Sequence, residues 1–426
     1  MSREVQVLHR TMTFVLAGGQ GERLLPLTLD RAKPAVPFGA IYRIIDVTLS
    51  NCIHSGLRHI YVLTQYKSKS LESHLRFGWG FLPAELGQYI ASIPPQLRTG
   101  NWYQGTADAI YQNLFVLEEE KPRYVLILSG DHVYKMDYGL MLAQHQAKQA
   151  KVTISAVEVP REDGRRFGII EVDADGRVIG FEEKPRNPKP IPGKPDLCLG
   201  SMGVYCFDAD ILQRSLIEDA KLDESAHDFG KNILPKLIKT VPVYSYSFAD
   251  ENKKQVRYWR DIGTLDSYFE ANMDLVSVDP LFNIYDHDWP LFTHQAHWSP
   301  AKTVFADRGE GARRGEVLDS LVGPSAIISG GRAERCVLSP LVRINSYAVV
   351  EDSILMHGVQ IGRRAHVRRA IIDKWVKIAP GVRIGHDLEQ DRKRFTVTDS
   401  GTVVIPKGAV IDEHGEVSID RANPGD

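Results

Sequence analysis

The sequence predicts an α/β protein in which a mostly parallel β-sheet with helices on both faces is followed by a parallel β-helix. Strand-like and helix-like segments alternate over residues 1–278, as in sheets that are covered by helices. Residues 320–387 repeat with a fixed period, and 279–319 separate the two patterns. We therefore predict domains at 1–278 and 320–426, joined by a connection at 279–319.

The first part supplies the elements of the predicted sheet. The strand candidates are 59–64, 124–129, 152–159, 202–207 and 241–248, and the helix candidates are 107–119, 139–150 and 229–239. Ligands of such sheets bind beyond the carboxyl ends of the strands. Gly18, Gln65 and Asp131 follow three predicted strands, so we expect a site where these strands end.

The last part aligns with itself in rows of 17 residues: 320–336, 337–353, 354–370 and 371–387. The aliphatic positions, given one coil at a time, are Leu321, Ile327, Ala333; Leu338, Ile344, Val350; Leu355, Ile361, Val367; and Ile372, Ile378, Ile384, and each position forms a column with its counterparts in the other coils. Residues two positions before these, such as Val342, Val359 and Val376, are also apolar. Aliphatic residues at steps of two and six do not follow a 3.6-residue stripe, which excludes an α-helix. The pattern is that of hexapeptide repeats, with three sides per coil and stacked aliphatic columns inside. Residues 279–319 lack periodicity and are rich in Pro, His and Trp.

Composition indicates a large soluble protein of two or three domains. The 426 residues are 43% apolar and 25% charged, and the net charge of −2 argues against broad binding to nucleic acid. The four cysteines show neither metal-ligand spacing nor a disulfide framework, so we expect reduced core thiols. No apolar stretch approaches membrane-spanning length, and the first residues do not resemble a signal peptide. These features predict a cytoplasmic protein without a membrane partner.

A glycine-rich turn follows the first apolar run. Gly18, Gly19 and Gly21 come directly after Leu16 and Ala17, and the cations Arg23 and Lys33 lie just beyond. Glycine lets backbone N–H groups approach phosphate oxygens, and the cations would meet the remaining charge. No Gly-Lys-Ser/Thr follows, which excludes a P-loop, and Leu24 replaces the third glycine of the dinucleotide fingerprint. A tight turn flanked by solvated basic residues is the alternative.

Further motifs follow in order along almost the whole chain. They are Gly18-Gly-Gln-Gly-Glu-Arg-Leu24, Arg31-Ala-Lys-Pro34, Asn101-Trp-Tyr-Gln-Gly-Thr-Ala-Asp-Ala109, Ser129-Gly-Asp-His-Val-Tyr134, Glu182-Glu-Lys-Pro185, His227-Asp-Phe-Gly-Lys231 and Tyr258-Trp-Arg-Asp-Ile-Gly-Thr264. Together they resemble the bacterial and plant glucose-1-phosphate adenylyltransferases, a family of sugar-1-phosphate nucleotidyltransferases.

The resemblance implies a Rossmann-like nucleotidyltransferase domain and a left-handed β-helix. The implied reaction converts ATP and α-D-glucose 1-phosphate to ADP-glucose and pyrophosphate, with Mg²⁺ as cofactor, in glycogen- or starch-type glucan synthesis. It also implies a homotetramer that small phosphate-type effectors regulate.

Residue-by-residue matching to the family assigns a role to each motif position. The implied catalytic residues are Arg23, Lys33 and Asp131, and the implied metal ligands are Asp131 and Asp261. The implied nucleotide-binding residues are Leu16, Ala17, Gly18, Gly19, Gln65, Gly105 and Thr106. The implied glucose 1-phosphate residues are Tyr103, Gly168, Glu183, Lys184, Ser201, Tyr205 and Asp228.

Each of these residues also has a structural alternative. Asp131 could cap a helix, Lys33 could be a solvated lysine, and Asp261 could pair with Arg260. The Glu-Lys-Pro sequence at Lys184 could be a charged turn, and Tyr103 could be a core aromatic residue.

The regulatory match is weaker than the catalytic match. The basic set of the family's effector site corresponds to Arg31, Arg43, Arg392, Lys393 and Arg394. Enteric-type enzymes carry lysine just before the Arg-Ala-Lys-Pro motif, where this chain has Asp30, and Pro37 and Ala40 replace their His and Gly. A carboxylate repels a bisphosphate, so we predict weak or no activation by fructose 1,6-bisphosphate.

Three other functions remain open at this stage. One is a nucleotidyltransferase that uses another base, such as UTP or dTTP. A second is a non-catalytic regulatory subunit, although Arg23, Lys33, Asp131, Lys184 and Asp261 are all retained. A third is an acyltransferase, because hexapeptide coils also occur in those enzymes and three histidines lie within the repeat. These histidines are His357, His366 and His386.

Overall fold

The computed structural model describes residues 7–96 and 101–420. The chain divides into two compact units. The first comprises residues up to Gly19 together with 47–68 and 75–259. The second comprises, among the described residues, 20–46, 69–74 and those from Arg260 onward. Segments 20–46 and 69–74 thus group with the C-terminal part, which the repeat pattern does not reveal because neither segment belongs to the repeats. The domain boundaries drawn from the sequence stay a prediction.

The strands of the N-terminal part are β1 Thr11–Ala17, β2 Pro37–Phe38, β3 Tyr42–Arg43, β4 His59–Thr64, β5 Tyr89–Ile93, β6 Tyr124–Ser129, β7 His132–Tyr134, β8 Val152–Pro160, β9 Gly168–Val172, β10 Val178–Glu183, β11 Leu197–Asp208, β12 Val243–Ser247 and β13 Trp259–Asp261. Those of the C-terminal part are β14 Lys302–Val304, β15 Glu316–Leu318, β16 Leu321–Val322, β17 Ile327–Ser329, β18 Arg332–Leu338, β19 Arg343–Ile344, β20 Val349–Leu355, β21 Gln360–Ile361, β22 His366–Arg368, β23 Ala370–Ile372, β24 Lys377–Ile378, β25 Arg383–Ile384, β26 Thr396–Val397, β27 Val403–Ile405, β28 Ala409–Ile411 and β29 Val417–Ile419. The α-helices are α1 Ile44–His54, α2 Lys69–Gly78, α3 Thr106–Tyr111, α4 Leu114–Glu120, α5 Tyr138–Ala147, α6 Ala209–Asp219, α7 Leu234–Leu237, α8 Leu265–Asp274 and α9 Leu388–Arg394.

The first unit is built on one mixed sheet. Its main path runs β10-β9-β11-β6-β1-β4-β5, and β8 joins β11 to β12. β1 pairs in parallel with both β4 and β6, whereas β11 runs antiparallel to β6 and β8. The predicted mostly parallel α/β sheet is therefore confirmed, with β11 as a reversed strand. Apolar periodicity does not record the direction of a strand, so the sequence alone could not show this reversal.

Two predicted helices are interrupted for local reasons. The 107–119 segment forms α3 and α4, and between them Asn113 Nδ2 donates to the carbonyl of Ala109 at 2.8 Å. Such a side-chain bond competes with the helical backbone pattern. The 229–239 segment begins as a wide π-turn at Phe229–Ile233 and continues as α7. Pro235 lacks the N–H that a regular helix would use there.

The second unit contains the coil of stacked parallel strands. One buried column joins Ala333, Val350, Val367 and Ile384, and another joins Leu338, Leu355, Ile372 and Ile405. The third joins Ile328, Ile344, Ile361, Ile378 and Ile411. These pairings confirm the hexapeptide pattern. Parallel pairing already begins at β14 and β15, within the segment predicted as a connection.

Two column positions, Leu321 and Ile327, were predicted wrongly. Val322 pairs with Leu338 at the place assigned to Leu321, whereas Leu321 pairs with Val337. Ile328 is fully buried in the column, whereas Ile327 is partly exposed. The corner that follows Ile328 is one residue shorter than the corners of later coils. Gly330 adopts φ +74°, and a Cβ on Gly331 would lie 2.6 Å from the carbonyl oxygen of Asn345. Glycine at these two positions permits the tighter corner.

The coil ends in two antiparallel pairings. β26 runs antiparallel to β27, and β29 runs antiparallel to β28. Within the described ranges, no helix is long and apolar enough to cross a membrane. All four cysteines are buried and free, as predicted, and they are Cys52, Cys198, Cys206 and Cys336.

Candidate active site

Three strand ends of the first unit lie side by side. Ala17 at the end of β1 pairs with Thr64 at the end of β4, and Leu16 pairs with Ser129 at the end of β6. The N–H of Gly130 donates to the carbonyl of Leu16 at 3.0 Å. The glycine turn, Gln65 and Asp131 therefore start from one edge of the sheet, where ligands of such folds bind.

Gly18 lies close to the side chain of Gln65. A Cβ at position 18 would lie 3.1 Å from Cβ and 3.3 Å from Oε1 of Gln65, whereas Gly19 faces open space. Gln65 is buried, and its Nε2 donates weakly to the carbonyl of Tyr103 at 3.5 Å. This arrangement leaves open space beside Gly19.

Asp131 does not cap a helix, because strand β7 begins at the next residue. The side chain of Asp131 is 26% exposed, and His132 Nε2 lies 3.6 Å from its Oδ1. The hydroxyl of Ser129 donates to the same carboxylate. Sequence analysis missed Ser129 and His132 as neighbours of Asp131, although their positions next to it in the strand-end motif were a usable signal. The indole of Trp259 meets the His132 ring edge-to-face at 5.3 Å.

The predicted sugar-phosphate residues also come together. Burial raises the pKa of Tyr205, and the carboxylates of Glu183 and Asp228 raise it further, while a hydrogen bond with Ser201 acts in the opposite direction. Tyr205 therefore stays protonated at neutral pH and can donate a hydrogen bond. A Cβ on Gly168 would lie 2.9 Å from Glu183 Oε2, so this glycine allows the carboxylate to sit close.

Lys184 projects from this group toward solvent. Its side chain is 62% exposed, and its Nζ lies 3.3 Å from Glu183 Oε1. The backbone is left-handed at φ +48°, and the Lys184 N–H donates to the carbonyl of Phe167. The charged turn that the sequence offered as an alternative is therefore present, and it holds an accessible ammonium beside the Glu183 carboxylate.

The segment from 103 to 106 lies next to the same residues. The hydroxyl of Thr106 donates to Asp228 Oδ2 at 3.0 Å, so Thr106, predicted for the nucleotide, contacts a residue predicted for the sugar. A Cβ on Gly105 would lie 2.3 Å from the carbonyl of His227, which leaves no room for another residue. The Tyr103 hydroxyl accepts from Asn113 at 3.0 Å, and burial raises the pKa of this phenol.

In the second unit, Lys33 and Asp261 form an ion pair. Lys33 Nζ lies 3.1 Å from Asp261 Oδ1, and Lys33 is buried rather than solvated. Arg260 instead donates to Glu270 at 3.2 Å. A Cβ on Gly263 would lie 3.1 Å from Asp261 Oδ2 and 3.2 Å from Arg23 Nη2, so Arg23 borders the same place. Two cations thus flank one carboxylate.

The residues predicted to be regulatory differ in accessibility. Arg31 is buried and bonds Asp373 Oδ1 at 2.9 Å, with both side chains 1% exposed. Arg43 is half-buried, and its Nη1 donates to the hydroxyl and carbonyl of Ser70. Because Arg31 is buried in this ion pair, its side chain is not accessible to an effector. Its role in regulation stays a prediction.

The basic run in α9 is only partly available. Arg392 and Lys393 are exposed. Arg394 donates to Asp391 at 2.7 Å and to the carbonyl of Gly415 at 3.1 Å. Arg392 Nη1 lies 3.8 Å from Glu389 Oε1 in an exposed ion pair. Arg392 and Lys393 are accessible to an anion, whereas Arg394 supports the end of the coil.

Arg43 borders a buried carboxylate whose ionisation affects stability. Burial raises the pKa of Asp46, but contact with His74 at 2.5 Å, together with the Thr293 hydroxyl and the Arg43 N–H, holds that pKa below its usual value. When folding lowers the pKa of a carboxyl group, that group adds to the free energy of unfolding at pH values above its unfolded pKa of about 3.9. This contribution is lost as the pH falls through the lowered pKa of the folded state.

We therefore expect the urea midpoint of the wild-type protein to fall with acid below about pH 4 more steeply than that of Asp46→Asn. Asp399→Asn, at an exposed position, is the control and should keep the wild-type profile. Equal acid dependence in Asp46→Asn and wild type would contradict the expectation.

Comparison with known proteins agrees with both parts of the chain. Residues 12–278 match the nucleotidyl transferase family, and residues 299–405 match the GlmU-like C-terminal hexapeptide family. The chain is 53% identical over 408 residues to the glucose-1-phosphate adenylyltransferase of Rhodopirellula baltica, covering 95% of this chain and 92% of the relative. This chain belongs to the glucose-1-phosphate adenylyltransferase family.

Two further adenylyltransferases extend the comparison. The enzyme of Koribacter versatilis is 53% identical over 93% of this chain and 95% of its own length. Glucose-1-phosphate adenylyltransferase 2 of Vibrio cholerae is 48% identical over 94% of this chain and 98% of its own length. Membership in the adenylyltransferase family explains why one chain combines the mixed sheet with the coil. The hexapeptide match starts at residue 299, close to β14 at Lys302.

Proposed function

We propose that this chain transfers the adenylyl group of ATP to the phosphate of α-D-glucose 1-phosphate, giving ADP-glucose and pyrophosphate for α-glucan synthesis. The observation that carries the proposal is the identity of about half the residues over nearly the full length of relatives bearing this activity in their names. Retention of Arg23, Lys33, Asp131, Lys184 and Asp261 supports catalysis rather than a purely regulatory role.

The reaction does not require a general base. The sugar phosphate attacks the α-phosphorus of ATP in line, and its second pKa of about 6 leaves it largely deprotonated at neutral pH. What the reaction requires is alignment and compensation of charge. We propose that Arg23 and Lys33 stabilise the leaving pyrophosphate, and that Gly18, Gly19 and the Leu16–Ala17 backbone position the nucleotide with Gln65.

We propose Asp131 and Asp261 as the ligands of Mg²⁺. Their side chains are 26% and 27% exposed, and carboxylate oxygens that retain access to water suit this ion. The metal, when bound, would neutralise phosphate charge and polarise the α-phosphoryl group. The Lys33 ammonium lies 3.1 Å from Asp261 Oδ1, so a cation already borders the proposed metal site.

We propose that the sugar phosphate binds among the residues grouped around Tyr205. Its phosphate would meet the exposed ammonium of Lys184, and its hydroxyls would meet Glu183 and Asp228. Tyr103, Gly168, Ser201 and Tyr205 would complete the pocket, with Gly105 and Thr106 bordering the nucleotide.

The decisive experiment measures pyrophosphate release from ATP, UTP or dTTP in the presence of glucose 1-phosphate, and release of free CoA from acyl-CoA in a parallel assay. We expect turnover with ATP and Mg²⁺ to exceed that with the other nucleotides. A preference for UTP or dTTP would show that the enzyme uses that nucleotide rather than ATP. Turnover of acyl-CoA alone would favour an acyltransferase, in which the coil histidines act.

Replacement of Lys184 should affect one substrate only. Lys184→Gln should raise the KM for glucose 1-phosphate by roughly 10- to 100-fold with little change in kcat, since a charge-assisted hydrogen bond contributes about 1.5–3 kcal/mol. Lys189→Gln, which alters an exposed lysine that pairs with Glu171, should leave both KM values unchanged. A rise in the KM for ATP alone would contradict the assignment.

Regulation by small phosphates and assembly as a homotetramer remain proposals from the family resemblance, with Arg31, Arg43, Arg392, Lys393 and Arg394 as candidate contacts. Fructose 1,6-bisphosphate should activate weakly or not at all, because the exposed Asp30 carboxylate repels a bisphosphate by roughly 1 kcal/mol at contact distance in water. Initial rates with and without the bisphosphate test this, with Asp30→Lys as the comparison. Strong, saturable activation of the wild type would contradict it.

A further inference from the structure

Four neighbouring strands place one charged residue each at the edge of the sheet opposite the candidate active site. Lys151 lies directly before β8, and Asp208 lies at the end of the neighbouring reversed strand β11. The next strand is β6, which Arg123 precedes, and β6 is followed by β1, which Arg10 precedes. The Asp208 N–H donates to the Lys151 carbonyl at 3.1 Å, and the Arg123 N–H donates to the Arg10 carbonyl at 2.9 Å. Adjacent strands are about 4.8 Å apart, so these side chains stand in one row.

A cavity of about 730 Å³ opens over this row. The end of α5 and the residues just after it form another part of its lining, with Gln146 and the buried ring of His145 on the helix and Gln149 beyond it. A volume of this size holds a small molecule rather than a single ion. Polar side chains dominate the lining, which favours a polar ligand.

The cavity has an excess of positive charge. Asp208 is the carboxylate of the row, and it already accepts from Lys151 and from His145 Nε2 at 3.3 Å. His145 is held on its other side by the Thr153 hydroxyl at 2.8 Å. Arg10 and Arg123 are exposed, and neither forms an ion pair with any described residue. Arg123 lies over the Tyr124 ring at 5.2 Å, which holds its guanidinium at the cavity wall.

We propose that this cavity binds the phosphate group of a small phosphorylated metabolite, with Arg10 and Arg123 as its main contacts. Two planar guanidinium groups at adjacent strand ends match a tetrahedral dianion, because each can donate two parallel hydrogen bonds. Lys151 adds charge while it keeps its bond to Asp208. Gln146 and Gln149 would meet the organic part of the ligand. The site does not depend on the proposed transfer reaction, because none of its residues belongs to that chemistry.

The test measures binding of inorganic phosphate and of glycerol 2-phosphate to the full-length protein by titration calorimetry. Phosphate can also bind to the cations proposed for catalysis and regulation. The informative quantity is therefore the difference in affinity and stoichiometry between each variant and the wild type. Arg10→Ala/Arg123→Ala should lose one class of sites or bind at least tenfold more weakly, whereas Arg308→Ala, at an exposed position in another segment, should bind as the wild type does. Tighter binding of glycerol 2-phosphate would identify an organic phosphate as the ligand, and equal binding would identify free phosphate.

Two further variants keep the proposal open to refutation if the alanine pair does not fold. Arg10→Lys/Arg123→Lys preserves charge but not the planar fork, so binding should be intermediate. Asp208→Asn removes the negative charge of the row and should tighten binding. Pyrophosphate release in phosphate-free buffer should stay at the wild-type level in the arginine variants, which separates this site from the catalytic proposal. Wild-type affinity and stoichiometry for both probes in either double arginine variant would overturn it.

Discussion

Asp131→Asn is expected to lower pyrophosphate release from ATP and glucose 1-phosphate by roughly a thousandfold, because loss of a metal ligand removes several kcal/mol of transition-state stabilisation. The amide is nearly isosteric with the carboxylate and can still accept from the Ser129 hydroxyl, so the fold around β6 should persist. The change removes the charge that Mg²⁺ requires, and the concentration of Mg²⁺ needed for half-maximal rate should rise.

Steady-state rates over a range of Mg²⁺ concentrations measure this effect. Asp223→Asn replaces an exposed carboxylate in the same unit and is the matched control, for which we expect wild-type rates. Circular dichroism of both variants separates lost chemistry from lost structure. If folded Asp131→Asn retains more than about a tenth of the wild-type rate, Asp131 does not hold the metal and the catalytic assignment is wrong.

Asp373→Ala is expected to destabilise the protein by about 3–5 kcal/mol, since it leaves the buried guanidinium of Arg31 without its carboxylate. Asp373 Oδ1 also accepts from the N–H of Lys374 at 2.7 Å, so the carboxylate orders the coil backbone as well. Arg31 lies two residues before Lys33. The ion pair therefore fixes the segment that carries a proposed catalytic lysine to a strand end of the coil.

Urea midpoints of the variants measure the loss of stability. Asp352→Ala breaks an exposed ion pair with Arg335 in the same coil and should cost less than about 1 kcal/mol. Arg31→Met/Asp373→Leu should recover part of the loss, because an apolar pair leaves no buried charge. A cost for Asp373→Ala no greater than that for Asp352→Ala would show that the buried pair contributes little.

The sequence predicted the parts of the fold that depend on periodicity. The strands at 59–64 and 124–129 match the structure residue for residue, because buried strands carry continuous apolar runs. The coil columns were visible because every coil must bury its own aliphatic residues. The error at Ile327 has a local cause, since a glycine corner that is shorter by one residue shifts the column without disturbing the composition.

The site was predictable where a residue directly follows a strand, and less so where distant segments meet. Gln65 and Asp131 could be placed because a parallel sheet brings its strand ends together. The ion pair between Arg31 and Asp373 joins residues 342 positions apart, and no local pattern signals such a pairing. Likewise, the bond between Thr106 and Asp228 depends on the packing of two loops that the sequence does not relate.

The antiparallel strands at the end of the coil have a consequence for self-association. A stack of parallel rungs offers its last rung as a template onto which another chain can add, as in amyloid growth. In this chain, β26 and β29 each fold back across such a rung and occupy its hydrogen-bonding groups. Because the reversed strands are short, they are themselves a poor template, and these two sides of the coil are disfavoured as sites for strand addition by another chain.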